Sequence, residues 1–243
     1  MRKEKIEVLD KEDIPKTNKI NIILICIIII GLVGVGLVFV RNSQEKKLNT
    51  ISKELTIDNA INDNIDSDIH TIFIYSKVEK ALKDYYIRYG KDYNKINSIM
   101  EESELINILS INNYKDDGPE FNVSFDYINK KKKEFDKYID DLMKISTEEY
   151  INSYIEKYTK FGYSKKLYKD IIDRKKLINT LESKYGENKR YKEKVDKQFD
   201  EVIETLEFLK ENKDNWKIES NVIKFNKSEL LEQYNKLISE YKK

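Results

Sequence analysis

The sequence predicts a mainly α-helical protein in which a single N-terminal transmembrane helix precedes an elongated helical-bundle domain with a small C-terminal β-hairpin. Three observations support this fold class. One uninterrupted apolar run occupies residues 20–40, apolar residues recur at helical spacing through most of the remaining chain, and the 243 residues include only seven glycines and two prolines. A fold rich in β-structure needs many tight turns, and so little glycine and proline argues against one.

The apolar run, residues 20–40, contains no charged side chain. As a helix rising about 1.5 Å per residue it would be roughly 31 Å long, close to the ~30 Å hydrocarbon core of a bilayer. A cleaved signal peptide has a shorter apolar region, of about 7 to 15 residues, and a small-residue cleavage site. This run is longer and ends in Val-Phe-Val, so we expect an uncleaved anchor in the lipid bilayer. Representative membrane-spanning residues are Ile20, Leu24, Cys26, Ile30, Gly34 and Val40.

The basic residues that flank this run predict its orientation. Residues 1–19 contain six Lys or Arg, whereas residues 41–60 contain four. Basic flanks tend to stay in the cytoplasm, which predicts a short cytoplasmic tail over 1–19 and an extracytoplasmic C-terminal part. The only cysteine, Cys26, lies within the apolar run, so the rest of the chain carries no thiol to be oxidised. The inverted topology remains an open alternative.

Residues 41–66 are predicted to form a partly helical juxtamembrane spacer, because Asn and Asp crowd its second half. The extracytoplasmic helical domain would then cover residues 67–243, and its first helix would begin near Asp66 or Ser67. Three glycines each follow a basic and an aromatic residue: Arg88-Tyr89-Gly90, Lys160-Phe161-Gly162 and Lys184-Tyr185-Gly186. Glycine favours the left-handed helix cap, and a basic residue suits the helix C-terminus. A helix is therefore expected to stop at each of these glycines.

Two amphipathic helices are clear from their spacing. In one helix the apolar residues are separated by four, three, four and three positions: Val195, Phe199, Val202, Leu206 and Leu209. In the other helix they recur every seven positions: Ile128, Phe135 and Leu142. After this other helix, Ser146-Thr147-Glu148-Glu149 is typical of a capping box that opens the next helix.

The segment 216–225 departs from helical spacing and predicts a β-hairpin. A two-residue turn at Ser220-Asn221 would pair four apolar side chains on one face, Trp216 with Phe225 and Ile218 with Ile223. An isolated hairpin is marginal in water, so Trp216 is expected to be buried against neighbouring helices. A final helix follows a capping box formed by Asn226 and Glu229 and would bury four residues, Leu230, Tyr234, Leu237 and Tyr241.

Charge and residue composition restrict the function. Residues 41–243 hold 39 basic and 39 acidic side chains, and the whole chain has five arginines, so no nucleic-acid partner is expected. The single histidine, His70, and the membrane-embedded cysteine rule out Cys-His catalysis and the usual zinc ligands. His70 is predicted to be a solvated surface residue.

Carboxylates do not suggest chemistry either. The acidic residues between 58 and 68 lack the glycine and spacing of an EF-hand, and neighbouring carboxylates on a helix point about 100° apart. The sequence therefore predicts no catalytic, cofactor-binding or metal-binding residue, and no enzyme.

Two features could serve binding. The run Lys130, Lys131, Lys132 and Lys133 is either a solvated helix face or a contact for an acidic protein surface or anionic polymer. Seventeen tyrosines are present, many at helical seam positions, where they would fill the core or leave an exposed binding ridge.

Three functional hypotheses remain. The first is a non-catalytic interaction or scaffold module, anchored in a bacterial membrane, that binds a protein or cell-wall partner; the prevalence of Lys, Ile, Asn and Tyr is typical of an AT-rich bacterial genome. The second is an extracytoplasmic ligand-sensing or solute-binding domain, which would require a concave pocket with converging polar groups. The third places a division- or cytoskeleton-associated helical domain in the cytoplasm.

Overall fold

A computed structural model describes residues 16–241, without the side chains of 16–23, 26 and 240. Most of the predicted tail, residues 1–15, and the last two residues lie outside this description. The protein is mainly helical (79%), and its described part contains one small antiparallel sheet of two strands. The fold class is confirmed at that level. The chain divides into two compact units, residues 1–47 and 48–243.

Ten α-helices and two strands make up the described part of the chain. The helices are α1 (Lys16–Glu54), α2 (Ile57–Ile61), α3 (Phe73–Met100), α4 (Ser103–Ile106), α5 (Ile111–Asp116), α6 (Asn122–Ile145), α7 (Glu148–Tyr154), α8 (Gly162–Arg174), α9 (Leu177–Glu211) and α10 (Ser228–Tyr241). The strands are β1 (Trp216–Glu219) and β2 (Val222–Phe225), and short 3-10 turns occupy Ile155–Lys157 and Lys213–Asn215.

In the first unit, α1 carries the apolar run. Every described side chain from Leu24 to Val40 is exposed. In the described part of the chain, α1 is the one helix long and apolar enough to cross a membrane by length and composition. Of the predicted membrane-spanning residues, Leu24, Ile30, Gly34 and Val40 are exposed on this helix, whereas Ile20 and Cys26 lie on it without described side chains.

The second unit begins before the predicted spacer ends. Leu48 is fully buried, and Leu55, Ile57 and Ala60 join the same core. The Thr56 hydroxyl caps α2 by accepting the Asn59 N–H at 3.1 Å. These apolar residues are widely spaced among polar ones, which is why the sequence predicts a spacer here. In the structure, residues 48–61 of that segment contribute to the core.

Helix α3 is central to the second unit and packs against α2, α6 and α8. It begins at Phe73, not near Asp66, and it continues through Gly90 to Met100. The predicted stop at Gly90 is therefore wrong. A Cβ at this position would lie 2.0 Å from the carbonyl oxygen of Ala60, so glycine is needed for the close approach of α2.

The other two predicted stops are wrong as well. Gly162 is the first residue of α8, and Gly186 lies inside the long helix α9. None of the described glycines has a positive φ. Their shared sequence pattern therefore does not reflect shared capping.

Tyrosines fill much of the core. Tyr85 and Tyr168 are almost completely buried, and their hydroxyls donate to the carbonyl oxygens of Ile145 and Ile151 at 2.9 and 3.0 Å. Burial raises the pKa of both hydroxyls well above the usual value. Because each hydroxyl has an acceptor, the aromatic ring is buried without leaving an unsatisfied polar group.

The predicted amphipathic faces of α6 and α9 are confirmed. The two helices pack together, and all the apolar residues named for their faces are buried. The start of α7 is where the sequence predicts it, but the cap is simpler than the predicted capping box: Thr147 is the N-cap, and its hydroxyl accepts the Tyr150 N–H at 3.3 Å, whereas the Ser146 hydroxyl donates to the Leu142 carbonyl.

The hairpin has the predicted register, with Trp216 opposite Phe225 and Ile218 opposite Ile223. Ser220 and Asn221 have φ values of 51° and 60°, as a type I′ turn requires. Trp216 is only partly buried; its indole N–H donates to the carbonyl of Leu209 at 2.7 Å. In the last helix Tyr234 is buried, and three of the predicted residues, Leu230, Leu237 and Tyr241, are partly buried.

Candidate functional site

The lysine run lies on α6, and its four members differ in their surroundings. Lys131 pairs with Glu102 at 2.7 Å and with Glu134 at 3.2 Å. Lys132 pairs with Asp200 at 2.5 Å, across to α9. Only Lys130 and Lys133 are exposed and without an ion pair inside the described part of the chain. The run therefore offers a partner two free charges rather than four.

A buried ion pair holds the loop that precedes α3. Glu79 and Lys83, one turn apart on α3, are buried with 3.0 Å between Oε1 and Nζ. The Glu79 carboxylate also accepts the backbone N–H groups of His70 and Thr71 and the Thr71 hydroxyl. Burial favours a higher pKa for Glu79, but these hydrogen bonds outweigh it and lower the pKa. Lys83 also donates to the Asp68 carbonyl, so the buried side chains of this network all have partners and tie the loop before α3 to the helix.

His70 is exposed, as predicted, and its Nε2 lies 2.5 Å from Oδ2 of Asp66. The hydrogen bond from His70 is the main cause of the lowered pKa of Asp66. No described hydroxyl or thiol nucleophile hydrogen-bonds to the ring. Within residues 16–241, no group of three His, Cys, Asp or Glu side chains is placed to hold a metal ion. The geometry of this pair gives it no evident chemical role.

A surface of exposed aromatic residues and lysines lies where the start of α3 meets the segment before α8. Phe73 is 75% exposed and Phe161 is 70% exposed, and both line one shallow depression of about 620 Å³. We call this the Phe73–Phe161 surface and define it by Phe73, Lys77, Lys157, Lys160 and Phe161. Exposed aromatic side chains grouped in this way are typical of interaction sites.

The backbone and the lysines of this surface add to its character. Phe73 has a φ of 54°, a conformation that costs a bulky residue free energy and is often kept for function. Lys77 and Lys160 are exposed and have no ion-pair partner among the described residues. Lys157 instead lies over the ring of Tyr154, 4.0 Å from its centroid. Glu156 also lines the depression; it pairs with Lys165 at 2.7 Å, and the charge of Lys160 adds to the lowering of its pKa. The surface thus combines apolar rings with two lysines that form no salt bridge in the described part of the chain.

A cavity of about 310 Å³ lies between α2, α3, α6 and α9. We call it the Asn188 cavity. Three tyrosines and several aliphatic side chains form most of its wall; among them are Tyr89, Tyr93, Tyr191, Ile57, Ile96 and Ile139. Burial raises the pKa of Tyr89 to about 12, so its hydroxyl is neutral at physiological pH. A contact between this hydroxyl and the Asn188 side-chain amide works against the increase, but it falls outside normal hydrogen-bond geometry.

The polar side chains that line this cavity, apart from the tyrosines, come from three helices: Asp58 from α2, Asn97 from α3, and Lys184, Glu187 and Asn188 from α9. Asn188 is only 8% exposed, and its Nδ2 has no hydrogen-bond partner of normal geometry in the described part of the chain. Nearer the solvent, Lys184 and Glu187 pair at 2.8 Å. A buried amide without an acceptor is costly, which makes Asn188 the most unusual polar side chain in the cavity.

Both sites escaped the sequence-based prediction. Asn188 follows Gly186, where a helix was expected to stop, so it was not placed on a helix face. A signal was nevertheless present, because Asn188 is the one polar member of a row of residues seven apart: Leu181, Asn188, Val195, Val202 and Leu209. Phe161 belongs to a tripeptide that predicts a helix end, and nothing in the sequence near Phe73 or Phe161 shows that either side chain is exposed.

Comparisons of the chain with protein-family models, with curated proteins and with solved structures give no match. The function must therefore be argued from these two sites.

Proposed function

We propose that the protein is a non-catalytic, single-pass membrane-anchored module that binds a partner protein through the Phe73–Phe161 surface. The observation that carries this proposal is the exposure of two phenylalanines in one depression beside two unpaired lysines. Such a surface suits a partner with an apolar patch and an acidic rim, since buried aromatic rings supply binding energy while complementary charges steer the encounter.

Anchoring and topology belong to the same proposal. Residues 20–40 would span the bilayer, the tail before them would be cytoplasmic, and the helical domain would lie outside, at the envelope of a bacterial cell. The length and apolar composition of α1 support the span, and the excess of basic residues before it supports the direction. The balanced charge of residues 41–243 supports a partner other than nucleic acid.

Site-specific photo-crosslinking of the full-length chain in its native membrane tests the partner site. Benzoylphenylalanine at position 161 should form an adduct with one discrete protein. The substitution Phe73→Asn, which tolerates the left-handed backbone, and Lys77→Glu should each weaken that adduct. Val123 is 72% exposed on α6 and does not line this depression, so benzoylphenylalanine at position 123 is the matched control.

The crosslinking outcomes discriminate between partners. A missing adduct at position 161, or the same adduct at positions 161 and 123, would refute the proposed surface. An adduct with glycan would show that the surface binds the cell wall, and an adduct with lipid would show that it binds the bilayer; either result would contradict a protein partner.

Cysteine labelling tests the topology. With Lys133→Cys, a membrane-impermeant maleimide should label the chain in intact cells. Label that enters only after lysis would favour the inverted arrangement, in which the helical domain serves a cytoplasmic structure such as the division machinery.

A second candidate function, extracytoplasmic ligand sensing, is favoured by the Asn188 cavity. It has the concave form, apolar wall and inward polar group that such a domain requires. The two functions are compatible, because no residue that defines the Phe73–Phe161 surface lines the Asn188 cavity.

A further inference from the structure

We infer that the Asn188 cavity binds an uncharged aromatic molecule that carries a hydrogen-bond acceptor. This inference deepens the ligand-sensing candidate and does not depend on the partner surface. Its basis is the combination of a cavity of about 310 Å³, a wall with three tyrosines and one buried amide donor, Asn188 Nδ2, without an acceptor of normal geometry in the described part of the chain. Small-molecule sites usually have volumes of roughly 300 to 1,000 Å³, so this cavity suits a ligand at the small end of that range.

The wall selects for aromatic character. Tyr89 and Tyr93 on α3 and Tyr191 on α9 line the cavity together with aliphatic side chains. A flat ring can make offset or edge-to-face contacts with such tyrosines and can bury its apolar area at the same time. A sugar or another strongly polar molecule would lose hydration against the aliphatic part of this wall.

The acceptor is required by Asn188. In its seven-residue row the neighbouring positions are Leu181 and Val195, both buried, so an aliphatic residue would fit the packing at this point. Asparagine places an amide N–H₂ group in the wall instead, and in the described structure its Nδ2 has only a contact with the Tyr89 hydroxyl that falls outside normal hydrogen-bond geometry. A ligand carbonyl that accepts from Nδ2 would remove the cost of that unsatisfied donor.

Charge at the rim excludes an ionic ligand. The Lys184 ammonium already pairs with Glu187, and this pair lowers the pKa of Glu187 and raises that of Lys184. Asp58 lies at the same rim. With one lysine and two carboxylates, the rim has no spare positive charge for a carboxylate or phosphate. The two rim carboxylates, Asp58 and Glu187, are exposed to water and would hold a cation only weakly, and the described lining places no buried carboxylate in the cavity. A neutral molecule therefore fits best.

The test uses three small probes and the full-length chain in lipid nanodiscs. Acetophenone has a phenyl ring and a carbonyl acceptor, propylbenzene lacks the acceptor, and benzoate adds a negative charge. Binding is followed through the side-chain amide resonances of Asn188 in ¹⁵N-labelled protein, assigned by their loss in Asn188→Leu. This readout ignores probe that merely dissolves in the lipid.

We expect acetophenone to shift the Asn188 resonances saturably and to bind at least about tenfold more tightly than propylbenzene, the factor that one additional hydrogen bond can supply. Benzoate should bind more weakly than acetophenone. In Asn188→Leu, where tyrosine resonances report binding, the preference for acetophenone over propylbenzene should disappear. This variant should also unfold at a higher temperature, because it removes a buried unsatisfied donor.

Three results would overturn the inference. One is the absence of saturable binding of acetophenone at millimolar concentration. Another is an unchanged preference for acetophenone in Asn188→Leu. The last is a loss of stability in Asn188→Leu, which would mean that the amide already has a structural partner.

Discussion

Helices α3 and α9 contain nearly the same tripeptide in opposite surroundings. Tyr89 and Gly90 of α3 are buried, and a Cβ at Gly90 would meet the Ala60 carbonyl at 2.0 Å. In α9, Tyr185 is 38% exposed, and a Cβ at Gly186 would come no closer than 3.9 Å to the Arg190 side chain. The comparison shows that the tripeptide alone does not determine how buried its tyrosine is or how much space surrounds its glycine. The tertiary contacts of each helix determine both.

The largest expected difference between the two helices concerns their ion pairs. Lys83→Met in α3 would leave the Glu79 carboxylate buried without its cation and should lower the free energy of unfolding by about 3 to 5 kcal/mol at neutral pH. Lys184→Met in α9 breaks an exposed pair and should have little effect. Urea unfolding of both variants measures the difference, and equal losses would show that burial of the α3 pair does not matter.

The same pair predicts a dependence on pH. The folded-state pKa of Glu79 is lowered, so its contribution to stability is present above its unfolded pKa of about 4.3 and is lost as the pH falls through the folded value. Acidification should therefore reduce the stability of the native protein more than that of Glu79→Gln. Parallel slopes of unfolding free energy against pH for the two proteins would contradict this assignment.

The next largest effect is steric. Gly90→Ala should destabilise the protein by about 2 to 3 kcal/mol, because the added methyl group overlaps a backbone oxygen and α2 must move away from α3. Thermal unfolding measures this change. A variant as stable as the native protein would mean that α2 is held loosely.

A smaller effect is expected for a tyrosine hydroxyl. Tyr85→Phe leaves the Ile145 carbonyl without its donor at the end of α6 and should cost about 1 to 2 kcal/mol. Tyr185→Phe, on the exposed side of α9, is the control and should be close to neutral. Chemical denaturation of both variants would reveal whether buried hydroxyls matter more than exposed ones.

The smallest effect has the opposite sign. Gly186→Ala should stabilise the protein by about 0.5 to 1 kcal/mol, because alanine is the better helix former and the site has room for its methyl group. A calorimetric Tm below that of the native protein would imply a contact at Gly186 that the structure lacks.

Local interactions explain which parts of the fold were predictable. The hairpin register follows from the alternation of Trp216, Ile218, Ile223 and Phe225, and the start of α7 follows from the Thr147 cap. Both depend on residues fewer than ten positions apart. The close approach at Gly90 depends on Ala60, thirty residues away, and no nearby residue indicates it.

The candidate sites likewise separate into features that nearby residues predict and features that depend on tertiary contacts. The exposure of His70 could be predicted from its polar neighbours, whereas the exposure of Phe161 could not, because an aromatic residue beside a glycine is equally compatible with a core position. Asn188 could have been found from its row of seven-residue spacing once α9 was allowed to continue through Gly186. The ion pair between Lys132 and Asp200 depends on the packing of α6 against α9 and has no local signal.

The C-terminal ends of α1 and α9 each carry a side-chain amide donor. The Asn59 amide donates to the last carbonyl of α1, that of Glu54, at 2.6 Å, and the Asn212 amide donates to the Phe208 carbonyl at the end of α9 at 2.9 Å. This arrangement makes the protein sensitive to chemical ageing. Deamidation of Asn212 to aspartate would replace a donor by a negative charge facing the partially negative end of a helix. Spontaneous deamidation of Asn212 would therefore destabilise the C-terminal turn of α9.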